Sequence, residues 1–117
     1  MDQPTITYRG MPHSPAMDAR IDELVQRLAG LNDRITSCHV VVDENDRHKS
    51  KGNLFEVRVD LHIPGREIVA SRQQNEDAYV AIADAFRVIE RKLQVSIRHR
   101  RHDPWLRRQG DAFRANP

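Results

Sequence analysis

Apolar and polar positions follow two periods along this chain. Ile6 and Tyr8 alternate with Thr5, Thr7 and Arg9, which predicts a short strand over Thr5–Arg9. Ser14 precedes Pro15 as an N-cap precedes a first helical proline, and a helix follows. Met17, Ile21, Leu24, Val25, Leu28 and Leu31 share one face of it, and Gly30 is placed at its C-cap. Ile35 to Val42 is the second strand, with Cys38, Val40 and Val42 on one side and Ser37, His39 and Val41 on the other. Asp43 to Asn53 reads as a polar loop. Leu54 to Ile63 alternates most cleanly of all, Phe55, Val57, Val59, Leu61 and Ile63 against Glu56, Arg58, Asp60 and His62. Pro64-Gly65 is a turn, because proline presets φ and glycine accepts a positive one. A shorter strand, Glu67 to Ser71, pairs back. Asn75 or Asp77 then caps a long helix, Ala78 to His102, whose apolar stripe is Tyr79, Ile82, Phe86, Ile89 and Leu93.

The order β-α-β-β-β-α, with one-faced strands and two helices to cover them, predicts an α+β two-layer sandwich. The first helix makes a right-handed crossover between two parallel strands, and the remaining strands follow as antiparallel hairpins. Both helices lie on one face of a four-stranded sheet. Residues 1–102 form the domain, and residues 103–117, which begin with the helix stop at Asp103-Pro104, read as a flexible C-terminal tail without periodicity.

At 117 residues the chain is one domain with a small core. Its net charge of +2 is uninformative until divided along the sequence. Residues 1–77 carry −3 and residues 78–117 carry +5, so positive charge gathers on and beyond the long helix, where an anionic partner would find it. A single cysteine excludes an internal disulfide and fits a reducing, cytoplasmic setting. The first ten residues do not read as a signal peptide, and no apolar run approaches the ~20 residues that span a bilayer.

Little here suggests catalysis. Asp43, Glu44 and Asp46 lack the glycine and closing glutamate of a calcium loop, so they read as a solvated acidic loop. The six histidines show no metal-ligand spacing, although His39 and His62 share the open sheet face. Cys38 falls on the buried side of its strand and reads as an inert thiol. No phosphate-cradling glycine loop and no nucleophile elbow is present. The chain reads as a non-enzyme with no cofactor, metal or small-molecule substrate.

The remaining signal is cationic. Arg87, Arg91, Gln94, Arg98 and Arg101 rotate with the helical period beside the apolar stripe, and Arg20 and Arg27 lie on the exposed side of the first helix. Taken alone such a row reads first as a solvated helix face. If both helices cover one sheet face, their outer sides form a shared positive groove. Guanidinium groups suit phosphate because their planar donors match two oxygens at once. With few aromatics free to stack on bases, backbone and shape recognition of RNA is favoured over reading of its sequence.

Several short motifs in this order resemble the ribosome hibernation promoting factor family, also called ribosome-associated inhibitor A or sigma-54 modulation proteins. They are Ser14-Pro15-Ala16-Met17; Asp33-Arg34-Ile35 with His39-Val40-Val41-Val42; Leu61-His62-Ile63-Pro64-Gly65 with Glu67-Ile68 and Ala70-Ser71; and Asp77-Ala78-Tyr79 with Ala81-Ile82, Arg91 and Leu93. The resemblance runs from about residue 4 to residue 102. It implies a fold like a double-stranded RNA-binding domain. It also implies binding to small-subunit ribosomal RNA in the channel of messenger and transfer RNA. That would block translation and protect idle ribosomes in stress or stationary phase. By position, Arg27 and Arg91 match basic family positions. Leu24, Val88, Val95 and Ile97 are apolar where typical members are basic, and the charge is displaced to Arg87, Lys92, Arg98, Arg100 and Arg101. The expected RNA-binding set is therefore Arg20, Arg27, Arg87, Arg91, Lys92, Arg98, Arg100 and Arg101. The C-terminal dimerisation domain of long members is absent from this sequence. The competing reading is a protein-interaction (dimerisation) module on the same fold without ribosome binding, weakly homo-oligomeric, built on the apolar surface that Val88, Val95 and Ile97 add to the long helix and on the aromatic tail.

Overall fold

The cleanest alternation in the sequence becomes an inner strand of the sheet. In the computed structural model, which describes residues 3–45 and 54–102 apart from the side chains of 71, 72 and 96–102, six elements follow one another. They are β1 (Thr5–Arg9), α1 (Pro15–Leu31), β2 (Ser37–Asn45), β3 (Leu54–Ile63), β4 (Arg66–Asn75) and α2 (Ala78–His102). The sheet order is β1-β2-β3-β4, with β1 and β2 parallel and the other pairs antiparallel. A parallel neighbour requires a crossover, and α1 supplies it. The predicted α+β sandwich is therefore the observed fold.

The core lies between the sheet and the helices. Val57, Val59 and Leu61 of β3 and Val40 and Val42 of β2 are fully buried, together with Ile21, Val25 and Leu28 of α1 and Ile82, Ile89 and Leu93 of α2. α2 lies across β3 and β4 and touches α1 along its side. At the start of α1, Ser14 Oγ accepts from the Met17 amide at 3.2 Å, as an N-cap should. The Tyr8 hydroxyl donates to Asp18 Oδ1 at 2.7 Å, and His13 Nε2 contacts the other carboxylate oxygen, so the end of β1 is tied to the first turn of α1. The hydroxyl bond from Tyr8 holds the Asp18 carboxyl below the usual carboxylate range. Burial, and next the Asp18 bond, push the Tyr8 hydroxyl up. Burial pushes the Cys38 thiol up to about 12, with Asp60 adding to the shift, so it stays protonated at neutral pH.

Four local expectations need correction. Gly30 lies inside α1, and the C-cap is Asn32, whose amide donates to the Leu28 carbonyl at 3.0 Å. β2 runs three residues further than its apolar pattern, because Asp43, Glu44 and Asn45 find ladder partners in Glu56, Phe55 and Leu54. The acidic stretch thus begins in a strand, and Asp46 lies outside the described residues. β4 continues to Asn75 through a bulge: between Val57↔Gln73 and Val59↔Ala70 it carries one residue more than β3. The bulge moves the inward parity from Ile68 and Ala70 to Gln73 and Asn75, which ends the apolar alternation without ending the strand. Tyr79 is 41% exposed and not part of the α2 core stripe, which is filled instead by Ala78, Ala81 and Ala85 beside Ile82, Phe86, Ile89 and Leu93. Of the α2 cap candidates, Asp77 accepts from the Tyr79 amide at 2.9 Å, and Asn75 accepts from the Asp77 amide at 2.8 Å.

Two of the described glycines have positive φ, but with unequal surroundings. Gly10 (φ 71°) follows β1, and a Cβ there would sit 2.5 Å from the Glu44 carbonyl oxygen. Gly65 (φ 77°) is in the β3–β4 turn, with nothing within 4 Å of the corresponding point. Gly65→Ala is expected to cost only the left-handed strain of about 1–2 kcal/mol. Gly10→Ala adds a clash with backbone and should cost more than ~3 kcal/mol, read from urea unfolding of both variants. Equal losses would show that the Gly10 approach is not a constraint.

Candidate nucleic-acid interface

α1 and α2 lie side by side on the sheet, and a cleft of about 530 Å³ opens between them. Arg20 and Arg27 project into it from α1, and Arg87 and Arg91 from α2. They reach one cleft because of helical period. Arg20 and Arg27 are seven residues apart, two turns, and Arg87 and Arg91 are four apart, one turn. Leu24, Leu28 and Phe86 form part of its lining, so the charges stand on an apolar base. Four of the eight sequence candidates are thereby brought together.

Lys92 is not among them. Its Nζ donates to the Val69 carbonyl at 2.6 Å, binding α2 down onto β4, the edge strand of the sheet. Val88 and Val95, four residues before and three after, share that side of the helix. Arg98, Arg100 and Arg101, like Ile97, have side chains outside the described residues. Of the apolar positions that the family resemblance contrasts with basic ones, Leu24 and Val88 are half-buried against the core, while Val95 is 48% exposed. The apolar surface behind the protein-interaction reading is correspondingly smaller.

The electrostatics of the cleft are less positive than four arginines suggest. Arg27 Nε donates to Glu90 Oε1 at 3.0 Å, and a second guanidinium nitrogen donates to Oε2 at 3.4 Å. This bidentate pair bridges the two helices, and hydrogen bonding to Glu90 raises the Arg27 pKa further. Arg20 meets Glu23 at 3.3 Å and Arg87 meets Asp84 at 2.6 Å, both three residues apart on one helix. Among the described residues Arg91 has no ion-pair partner. The sequence reading missed all three carboxylates. The two intrahelical pairs were legible as spacings of three. The Arg27–Glu90 pair spans 63 residues, and nothing local announces it.

The opposite sheet face is polar and locally paired. His39 Nε2 lies 3.1 Å from the Thr7 hydroxyl, and His62 lies 3.3 Å from Glu67. Arg58 Nε approaches Asp60 Oδ1 at 3.2 Å, a charge contact without hydrogen-bond alignment. Among the described residues no group of three or more His, Cys, Asp or Glu side chains is placed to hold a metal, and no helix is long and apolar enough to cross a membrane.

Comparison with known proteins places this architecture. A ribosomal subunit interface protein from Coxiella burnetii has a similar structure, with a TM-score of 0.69 at 20% identity, covering 80% of this chain and 96% of that one. The Protein Y N-terminal domain of Thermus thermophilus gives 0.65 at 18% identity, covering 82% and 99%. At such identities these likenesses speak for the fold. A search of curated protein sequences gives no match. The family profile described as sigma 54 modulation protein / S30EA ribosomal protein matches residues 5–101, nearly the whole of the described fold. The chain belongs to the sigma 54 modulation protein / S30EA ribosomal protein family.

Proposed function

We propose that this protein is a hibernation factor that binds small-subunit ribosomal RNA through the α1–α2 cleft, in the channel used by messenger and transfer RNA. The family is one of ribosome-associated factors rather than enzymes. Occupying that channel would inhibit translation in the cytoplasm during stress or stationary phase. The observation that carries the reading is the convergence of Arg20, Arg27, Arg87 and Arg91, from two helices, on one cleft. Side chains from separate helices set several phosphate-binding groups at a fixed spacing, which a single solvated row does not do. Arg98, Arg100 and Arg101, whose side chains lie outside the described residues, add positive charge further along the sequence of α2. The name of the Coxiella burnetii neighbour, a ribosomal subunit interface protein, agrees with a ribosomal partner.

The test is cosedimentation with purified small subunits at rising salt. Binding is expected at ~50 mM monovalent salt, with a loss of at least tenfold in affinity by ~200 mM, since phosphate contacts displace condensed cations. Absence of association at low salt would refute the proposal.

A further inference from the structure

The Arg27–Glu90 pair bears on how the cleft takes hold of RNA, and the inference rests on the RNA-binding reading above. Arg27 presents its guanidinium to two oxygens of one carboxylate, at 3.0 and 3.4 Å. A phosphate would use that same donor edge, since both anions offer two coplanar oxygens to the guanidinium fork. The two anions therefore exclude each other there. Glu90 belongs to α2 while Arg27 belongs to α1, so the carboxylate reaches across the cleft and does not merely decorate one helix. Its side chain is 26% exposed, against 67% for Arg27, so the carboxylate is the more sheltered partner. Arg91, on the turn after Arg87, keeps its charge free among the described residues.

We propose that Glu90 is an internal competitor for Arg27, holding in the free protein the place that an RNA phosphate takes in the complex. Arg91 makes the first phosphate contact, and Arg27 joins only by exchanging a carboxylate for a phosphate. Glu90 thereby acts as a specificity-determining residue. An isolated phosphate gains little by displacing it, whereas an RNA backbone already anchored at Arg91 brings the next phosphate at high local concentration. The exchange also alters the salt response. A phosphate that meets a free arginine releases a condensed cation. One that meets Arg27 leaves the Glu90 carboxylate unpaired beside the anionic backbone, where it attracts cations, so the net release is smaller.

The experiment compares wild type with Glu90→Gln, Arg27→Gln, Arg91→Gln and the Arg27→Gln/Glu90→Gln double variant. Affinity for purified small subunits is measured across a salt series, with circular dichroism melts as the folding control. Glu90→Gln is expected to bind about threefold to tenfold more tightly at ~50 mM salt, with a slope of log affinity against log salt steeper by up to about one. The double variant should lose both the gain and the added slope. A purely structural role for Glu90 would lower the melting temperature and weaken binding without steepening the slope. Unchanged or weaker binding by Glu90→Gln, alongside weakened binding by Arg91→Gln, overturns the competitor role and leaves the cleft as the binding site. If Arg27→Gln and Arg91→Gln both bind like wild type, the cleft is not the site, and this inference falls with the reading beneath it.

Discussion

Replacing Arg87 and Arg91 together by glutamate is expected to lower affinity for small ribosomal subunits by about a hundredfold or more at ~50 mM salt, with the far-ultraviolet circular dichroism unchanged. Both side chains line the cleft from α2, and neither belongs to the buried core. Each reversal removes an attraction for phosphate and installs a repulsion. Arg87→Glu also places a second carboxylate beside Asp84, three residues away, which moves the local charge further. Lys92→Glu is the internal comparison. It reverses a charge immediately adjacent in sequence, but Lys92 points away from the cleft to the Val69 carbonyl. Its effect on binding should therefore be less than about fivefold, while its loss from β4 lowers stability modestly. If Lys92→Glu weakens binding as much as the double reversal, recognition follows net charge, and the cleft has no special role.

The second large effect is on folding. Ile82→Ala should destabilise the protein by about 3–4 kcal/mol, out of a total of roughly 5–15 kcal/mol for a domain of this size. Ile82 is fully buried on the packed face of α2, beside the equally buried Ala81 and Ala85. Little neighbouring bulk can relax into the space left behind, so the cavity cost is added to the lost transfer energy. Tyr79→Ala should cost less than about 1 kcal/mol, since the ring is 41% exposed. Both residues belong to the apolar stripe read from the sequence, and only tertiary packing separates them. Urea midpoints that shift equally for the two variants would contradict the burial described.

Helical period alone explains why Tyr79 was misassigned. Tyr79, Ile82, Phe86, Ile89 and Leu93 are spaced by three or four residues, which is sufficient for a stripe to the eye. Alanine carries little weight in such a pattern. Yet Ala78, Ala81 and Ala85 are all buried, and they turn the packed face away from Tyr79. β4 failed to read to its end for a related reason. Its bulge changes parity, so Gln73 and Asn75 take inward positions that a period of two assigns to apolar residues. At the end of β2 the backbone bonds to β3 outweigh the polar character of Asp43, Glu44 and Asn45.

The candidate site divides in the same way. That Arg20 and Arg27 share a side of α1, and Arg87 and Arg91 a side of α2, follows from spacing. The fold class and the order of elements follow from the two hydrophobic periods, because every strand and helix must bury its apolar face against another. Those properties were determined by the sequence alone. Which side of α2 met α1 was decided by packing, and that choice placed Arg91 in the cleft while sending Lys92 to β4. Packing also brought Glu90 within hydrogen-bond reach of Arg27, across 63 residues of chain. Periodicity reports the direction of a side chain about its own axis. The partner it meets depends on how two elements are rotated and translated against each other, and only the closed core sets that relation.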